Sequence, residues 1–105
     1  MTRLQAMAAL LPLGFLSCAS AALAADAANG EQLAKRWCAA CHVVAPDQTR
    51  GNPDVPSFAS VGKRPDFSAE KVALFLLDPH PKMPNMGLSR TEAADLAAYI
   101  ATQGK

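Results

Sequence analysis

The chain has 105 residues, ten Lys and Arg against nine Asp and Glu, and half of its residues are hydrophobic. A net charge of +1 argues against the concentrated basic surface that nucleic-acid binding needs, and the apolar content argues against a disordered chain. One small domain fits this length, and such a domain buries so little apolar surface that it needs a staple: disulfides, a metal or a large bound group.

Residues 1–24 hold 17 hydrophobic residues and one charge, Arg3. The basic start, the apolar run over 6–16 and the small-residue tail Ala22-Leu23-Ala24 have the layout of a secretory signal peptide, cut after Ala24 or Ala25. Pro12 and Gly14 interrupt the run, which falls short of the ~20 apolar residues that span a bilayer. Phe15-Leu16-Ser17-Cys18 is a poor lipid-attachment box, so Cys18 is expected to leave with the leader. The mature domain is then 25–105, with Cys38 and Cys41 as its cysteines.

The mature chain opens with a predicted helix over 29–41, free of proline and rich in Ala, Leu, Lys, Arg and Gln. Residues 43–66 carry Pro46, Pro53, Pro56 and Pro65 and read as an irregular loop with a short helical turn near 57–61. A loop this long suits a compact domain if it wraps something other than protein. Ser68 caps a second helix over 69–78 that Pro79 stops. Its interior, Val72-Ala73-Leu74-Phe75-Leu76-Leu77, is apolar on every face and is expected to be covered on several sides. A stiff loop with Pro79, Pro81 and Pro84 follows. Ser89 and Glu92 then form a capping box for a last helix, with an apolar stripe at Ala93, Leu96, Ala97 and Ile100 flanked by Tyr99, ending near Gly104. No segment alternates as a strand does. The expected class is all-α.

Cys38-Ala39-Ala40-Cys41-His42 is the strongest chemical signal. On a helical turn, positions i, i+3 and i+4 share a face. Two thiols can therefore form thioethers with the vinyl groups of one haem while the adjacent imidazole reaches its iron, which is why C-x-x-C-H reads as c-type haem attachment. A thioredoxin-like dithiol would sit after a strand and open a helix, and a zinc site would need a fourth ligand that His80 alone supplies poorly. The iron's sixth position has three candidate donors: Met83, Met86 and His80. Pro81 and Pro84 bracket Met83 and restrict its backbone, which favours it over Met86 and then His80.

With Cys38–His42 early, Met83-Pro84 in a late loop and a terminal helix containing Leu96-Ala97-Ala98-Tyr99-Ile100, the chain resembles the class I (monohaem) cytochromes c, especially the short bacterial ones, from about residue 28 to 103. The resemblance implies three main helices and long loops around one haem c, attached through Cys38 and Cys41 and ligated by His42 and Met83. It makes Gly30 the small residue where the first helix crosses the last, with Leu96 and Tyr99 as partners. It also makes Pro56, with Pro53 as competitor, the residue whose carbonyl accepts from the Nδ1–H of His42. The sequence departs from the pattern at Ala34, where an aromatic is expected, and its only Trp, Trp37, precedes Cys38. Arg50, Lys63 and Arg64 are left as candidates for the haem propionates.

The implied function is one-electron transfer by a soluble periplasmic carrier, not an enzyme, that meets redox proteins such as a dehydrogenase, an oxidase or another cytochrome. Two other readings stay open. One is a dedicated cytochrome c subunit of a larger periplasmic complex; the other is a ligand-binding or catalytic haem protein with an open iron position.

Overall fold

The computed structural model describes residues 9–14, 24–78 and 82–105. Cys18, His80 and most of the expected leader lie outside the described residues. Four helices follow one another: α1 (Ala27–Trp37), α2 (Phe58–Gly62), α3 (Ala69–Leu77) and α4 (Arg90–Gln103). The described residues contain no strand, so the fold is all-α. None of the described helices is long and apolar enough to cross a membrane.

Local chemistry sets most of the helix starts. Ser57 accepts from the Ser60 N–H, Ser68 from that of Lys71, and Ser89 exchanges bonds with Glu92 in a complete capping box, both at 3.0 Å. The first helix starts earlier than the sequence suggests, because Asp26 caps it by accepting from the Asn29 N–H. It also ends earlier, at Trp37 rather than Cys41. Beyond it the carbonyls of Ala39 and Cys41 are drawn off by Gln48 Nε2 and the Asn52 N–H, so they cannot propagate a helical ladder. The α3 helix stops at Leu77 because Asp78 precedes Pro79 and adopts an extended backbone, φ −103° and ψ 107°.

Helix α4 is the spine on which α1, α2 and α3 pack. It buries Ala93, Leu96, Ala97, Tyr99 and Ile100, the stripe expected from its periodicity, and also Asp95. That carboxylate is satisfied by the Asp26 N–H at 2.7 Å and Asn29 Nδ2 at 2.8 Å, which ties the start of α1 to α4. At the crossing itself a Cβ on Gly30 would sit 2.0 Å from the Asp95 carbonyl oxygen and 2.9 Å from Tyr99 Cβ. The close approach falls on the Asp95 backbone and Tyr99, with Leu96 fully buried beside them. A second close approach, with no counterpart in the sequence reading, brings Gly62 against Gly104, where a Cβ on either would fall within 2.9 Å of the other's backbone. These contacts leave room for a glycine and nothing larger.

The expectation that α3 is covered on several sides fails within the polypeptide. None of its residues is buried, and Leu74 and Phe75 are 68% and 53% exposed. Two separate surfaces explain this. Val72, Phe75 and Leu76 form a wall of the main cavity, whereas Leu74 and Leu77 face a groove shared with Ala94 and Ala98 of α4.

Candidate functional site

The Cys38–His42 turn leaves the end of α1 as one further turn of chain. The Cys38 carbonyl accepts from the N–H groups of Cys41 at 3.1 Å and His42 at 2.9 Å, so the two thiols and the imidazole are carried on a closed turn. Cys38 is buried and Cys41 exposed. Burial pushes the Cys38 thiol up to about 11, so the free thiol is held protonated. Among the described residues no three His, Cys, Asp or Glu side chains are grouped to hold a metal ion.

His42 Nδ1 lies 2.6 Å from the carbonyl oxygen of Pro56. A carbonyl only accepts, so Nδ1 carries a proton, and in the neutral ring Nε2 then keeps its lone pair. Pro53 is not the partner. The ring also lies 5.6 Å from that of Phe58, which is buried and meets Tyr99 edge-on at 6.2 Å. Phe58 is brought there by its own N–H, which donates to the Val43 carbonyl at 2.9 Å. The Tyr99 hydroxyl donates to the Val44 carbonyl at 2.6 Å. Burial, followed by the charges of Glu31 and Asp47 against the opposing Lys35, raises the Tyr99 pKa and keeps this donor protonated.

A cavity of about 570 Å³ opens beside this turn. Cys38, His42, Pro56, Lys82 and Met83 line it, and Val55, Phe58, Val61, Phe67, Val72, Phe75, Leu76 and Ile100 supply apolar walls. The residues fit a haem. A flat apolar macrocycle matches these walls, and the cavity offers it a thiol, an imidazole nitrogen with its lone pair free, and a thioether sulfur. Met86 is not among the described residues that line the cavity, and His80 lies outside the described residues. Of the three basic candidates for the propionates, Arg64 lines the cavity, whereas Arg50 and Lys63 do not. Lys71 joins Arg64 there; it sits one turn before Phe75 on α3, a spacing that marked it in the sequence once α3 was placed.

Residues 25–100 match the family described as "Cytochrome C oxidase, cbb3-type, subunit III". The chain is also 66% identical, over 92 residues and 88% of each chain, to a protein named "Cytochrome c-552" from Bradyrhizobium diazoefficiens. No solved structure matches.

Proposed function

Because the chain belongs to the cytochrome c family, as a monohaem class I member, we propose that it is a soluble periplasmic carrier whose iron is held by His42 and Met83. Family membership brings one haem c, attached through Cys38 and Cys41, an electron-carrier role and redox proteins as partners. When bound, haem c supplies a one-electron couple at its iron. Everything else is the work of the polypeptide. His42, with its proton fixed on Nδ1 by Pro56, presents Nε2 as a neutral donor. Met83 lines the same cavity and would offer a thioether, a ligand type that favours the reduced iron and raises the potential. The apolar walls exclude water and keep the dielectric low, so charge moves with little reorganisation. If His42 and Met83 both hold the iron, no open position would be left on it for a substrate.

The observation that carries this reading is the joint presence of His42 and Met83 on one apolar cavity, with the His42 tautomer already set. Export is supported by the leader-like residues 1–24 and by a family match that begins at residue 25. Visible spectra of the exported protein in both redox states, with an intact mass under denaturing conditions, test the proposal together. The expected result is an iron–sulfur charge-transfer band in the oxidised form and a mass equal to 25–105 plus one haem. Lack of the band refutes methionine ligation, and a bare polypeptide mass refutes covalent attachment. An added diacylglycerol would show that Cys18 is a lipid anchor.

A second reading is a dedicated subunit of a periplasmic dehydrogenase or oxidase. It is favoured by the 68% exposure of Leu74 on the α3–α4 groove. Co-purification from native membranes and extracts separates the two: a carrier runs alone, a subunit does not.

A further inference from the structure

The peptide groups that follow α1 are held by one side chain that no motif marks, Gln48. The segment Ala45-Pro46-Asp47-Gln48 is a tight turn closed by the Gln48 N–H on the Ala45 carbonyl at 3.1 Å, with proline at its second position. The turn folds the Gln48 side chain back onto the residues before it. Its Nε2 donates to the carbonyls of Arg50 at 2.7 Å, His42 at 2.8 Å and Ala39 at 3.1 Å. Its Oε1 accepts from the Val44 N–H at 2.9 Å. Two N–H hydrogens serve three carbonyls, so one of them is shared. The orientation of the carboxamide is dictated as well, because three acceptors and one donor surround it and the flipped amide would satisfy none of them.

These bonds bracket the haem-attachment turn. Ala39 lies between the two cysteines, His42 is the expected ligand, and Val44 is the buried residue whose carbonyl Tyr99 holds from the opposite side. Pro56 fixes the His42 ring and the Cys38 carbonyl holds the His42 N–H, whereas the His42 carbonyl is held by Gln48. We propose that Gln48 is the positioning residue of the haem-attachment turn, fixing the His42 backbone so that the imidazole plane has one orientation at the iron. This rests on the reading of His42 as an iron ligand. Asn is one methylene too short to span the same four groups. Glu would turn the donor facing three carbonyls into an acceptor. Met keeps the length and volume and makes none of the bonds.

The test is NMR and potentiometry on the oxidised and reduced holoprotein, comparing wild type, Gln48→Met, Gln48→Glu and the control Tyr99→Phe, which removes a bond to the carbonyl of the same residue, Val44. For Gln48→Met the expected result is a changed pattern of hyperfine-shifted haem methyl resonances, which report the imidazole plane, together with a shifted midpoint potential. Its His42 Nδ1 proton should exchange roughly tenfold faster, the size expected from losing one or two net hydrogen bonds. Gln48→Glu should deviate at least as far, and Tyr99→Phe should lower stability while leaving the methyl pattern in place. An unchanged methyl pattern and potential in Gln48→Met, with normal His42 resonances, overturns the role of Gln48 alone. A wild-type spectrum with no hyperfine-shifted His42 resonance overturns the ligand reading and this inference with it. The wild type also provides a measurement that needs no variant: the Gln48 side-chain amide protons should exchange slowly, and exchange at the rate of a free amide refutes the clamp.

Discussion

Replacing Gly30 with alanine tests whether the α1–α4 crossing carries the fold. The added Cβ would lie 2.0 Å from the Asp95 oxygen, 2.6 Å from its carbonyl carbon and 2.9 Å from Tyr99 Cβ. Ordinary non-bonded contact begins near ~3.5 Å, so the helices must part by more than about 1 Å. Overpacking of this kind costs about 1–3 kcal/mol, and the upper end applies because two of the three obstructing atoms are backbone. Alanine in a helix interior returns about 1 kcal/mol relative to glycine, leaving a net loss of about 2 kcal/mol. Parting the helices also stretches the bonds from Asp26 N and Asn29 Nδ2 to the buried Asp95 carboxylate. For a domain of this size the loss corresponds to a fall in Tm of about 8–16 °C. Thermal and urea unfolding of the holoprotein, followed by far-UV circular dichroism, measures it. A Gly30→Ala protein as stable as wild type would refute the close crossing and the reasoning built on it.

Met83→Ala should abolish the iron–sulfur band, lower the potential and admit small ligands to the iron, whereas Met86→Ala should keep the band; the reverse outcome would move the ligand to Met86 and leave the family assignment intact. The raised Tyr99 pKa means that the native state holds this proton more tightly than the unfolded chain, so its contribution is full below the ordinary value of 10.0 and is lost as pH rises through the folded value. Unfolding midpoints taken on either side of pH 10 should therefore fall more steeply in wild type than in Tyr99→Phe, and parallel slopes would contradict a buried phenol. Residues 25–105 carry nine basic and nine acidic side chains, so stopped-flow reduction by a physiological donor should slow less than about tenfold from low to physiological salt; a larger fall would mean a charged docking face.

Short-range chemistry was legible without a structure. Ser68 and the Ser89–Glu92 box placed two helix starts to the residue, because a cap depends only on neighbours three positions away. Cys38, Cys41 and His42 were legible for the same reason, since their chemistry needs one turn of chain. The all-α class followed from periodicity. Pro56 and Gly30 came from resemblance, and the structure adds the 2.6 Å carbonyl contact and the tight crossing that give each residue type its physical reason.

Tertiary structure decided what depends on groups distant in sequence. Asp95 reads as a surface acid on a helix until the start of α1, 69 positions away, supplies its donors. Gly62 and Gly104 look like ordinary helix ends until α2 and α4 touch through them. Arg64 could not be chosen over Arg50 and Lys63 by composition, because only the folded chain shows which side chains line the cavity. Gln48 carries no motif at all. A lone glutamine in a loop is ordinary, and its value arises when a proline turn brings its carboxamide to the carbonyls of Ala39, His42 and Arg50 and the N–H of Val44. Sequence alone determines the bonds that local spacing can close; the rest waits on the fold, because a hydrogen-bonding group is satisfied by whatever the chain brings to it.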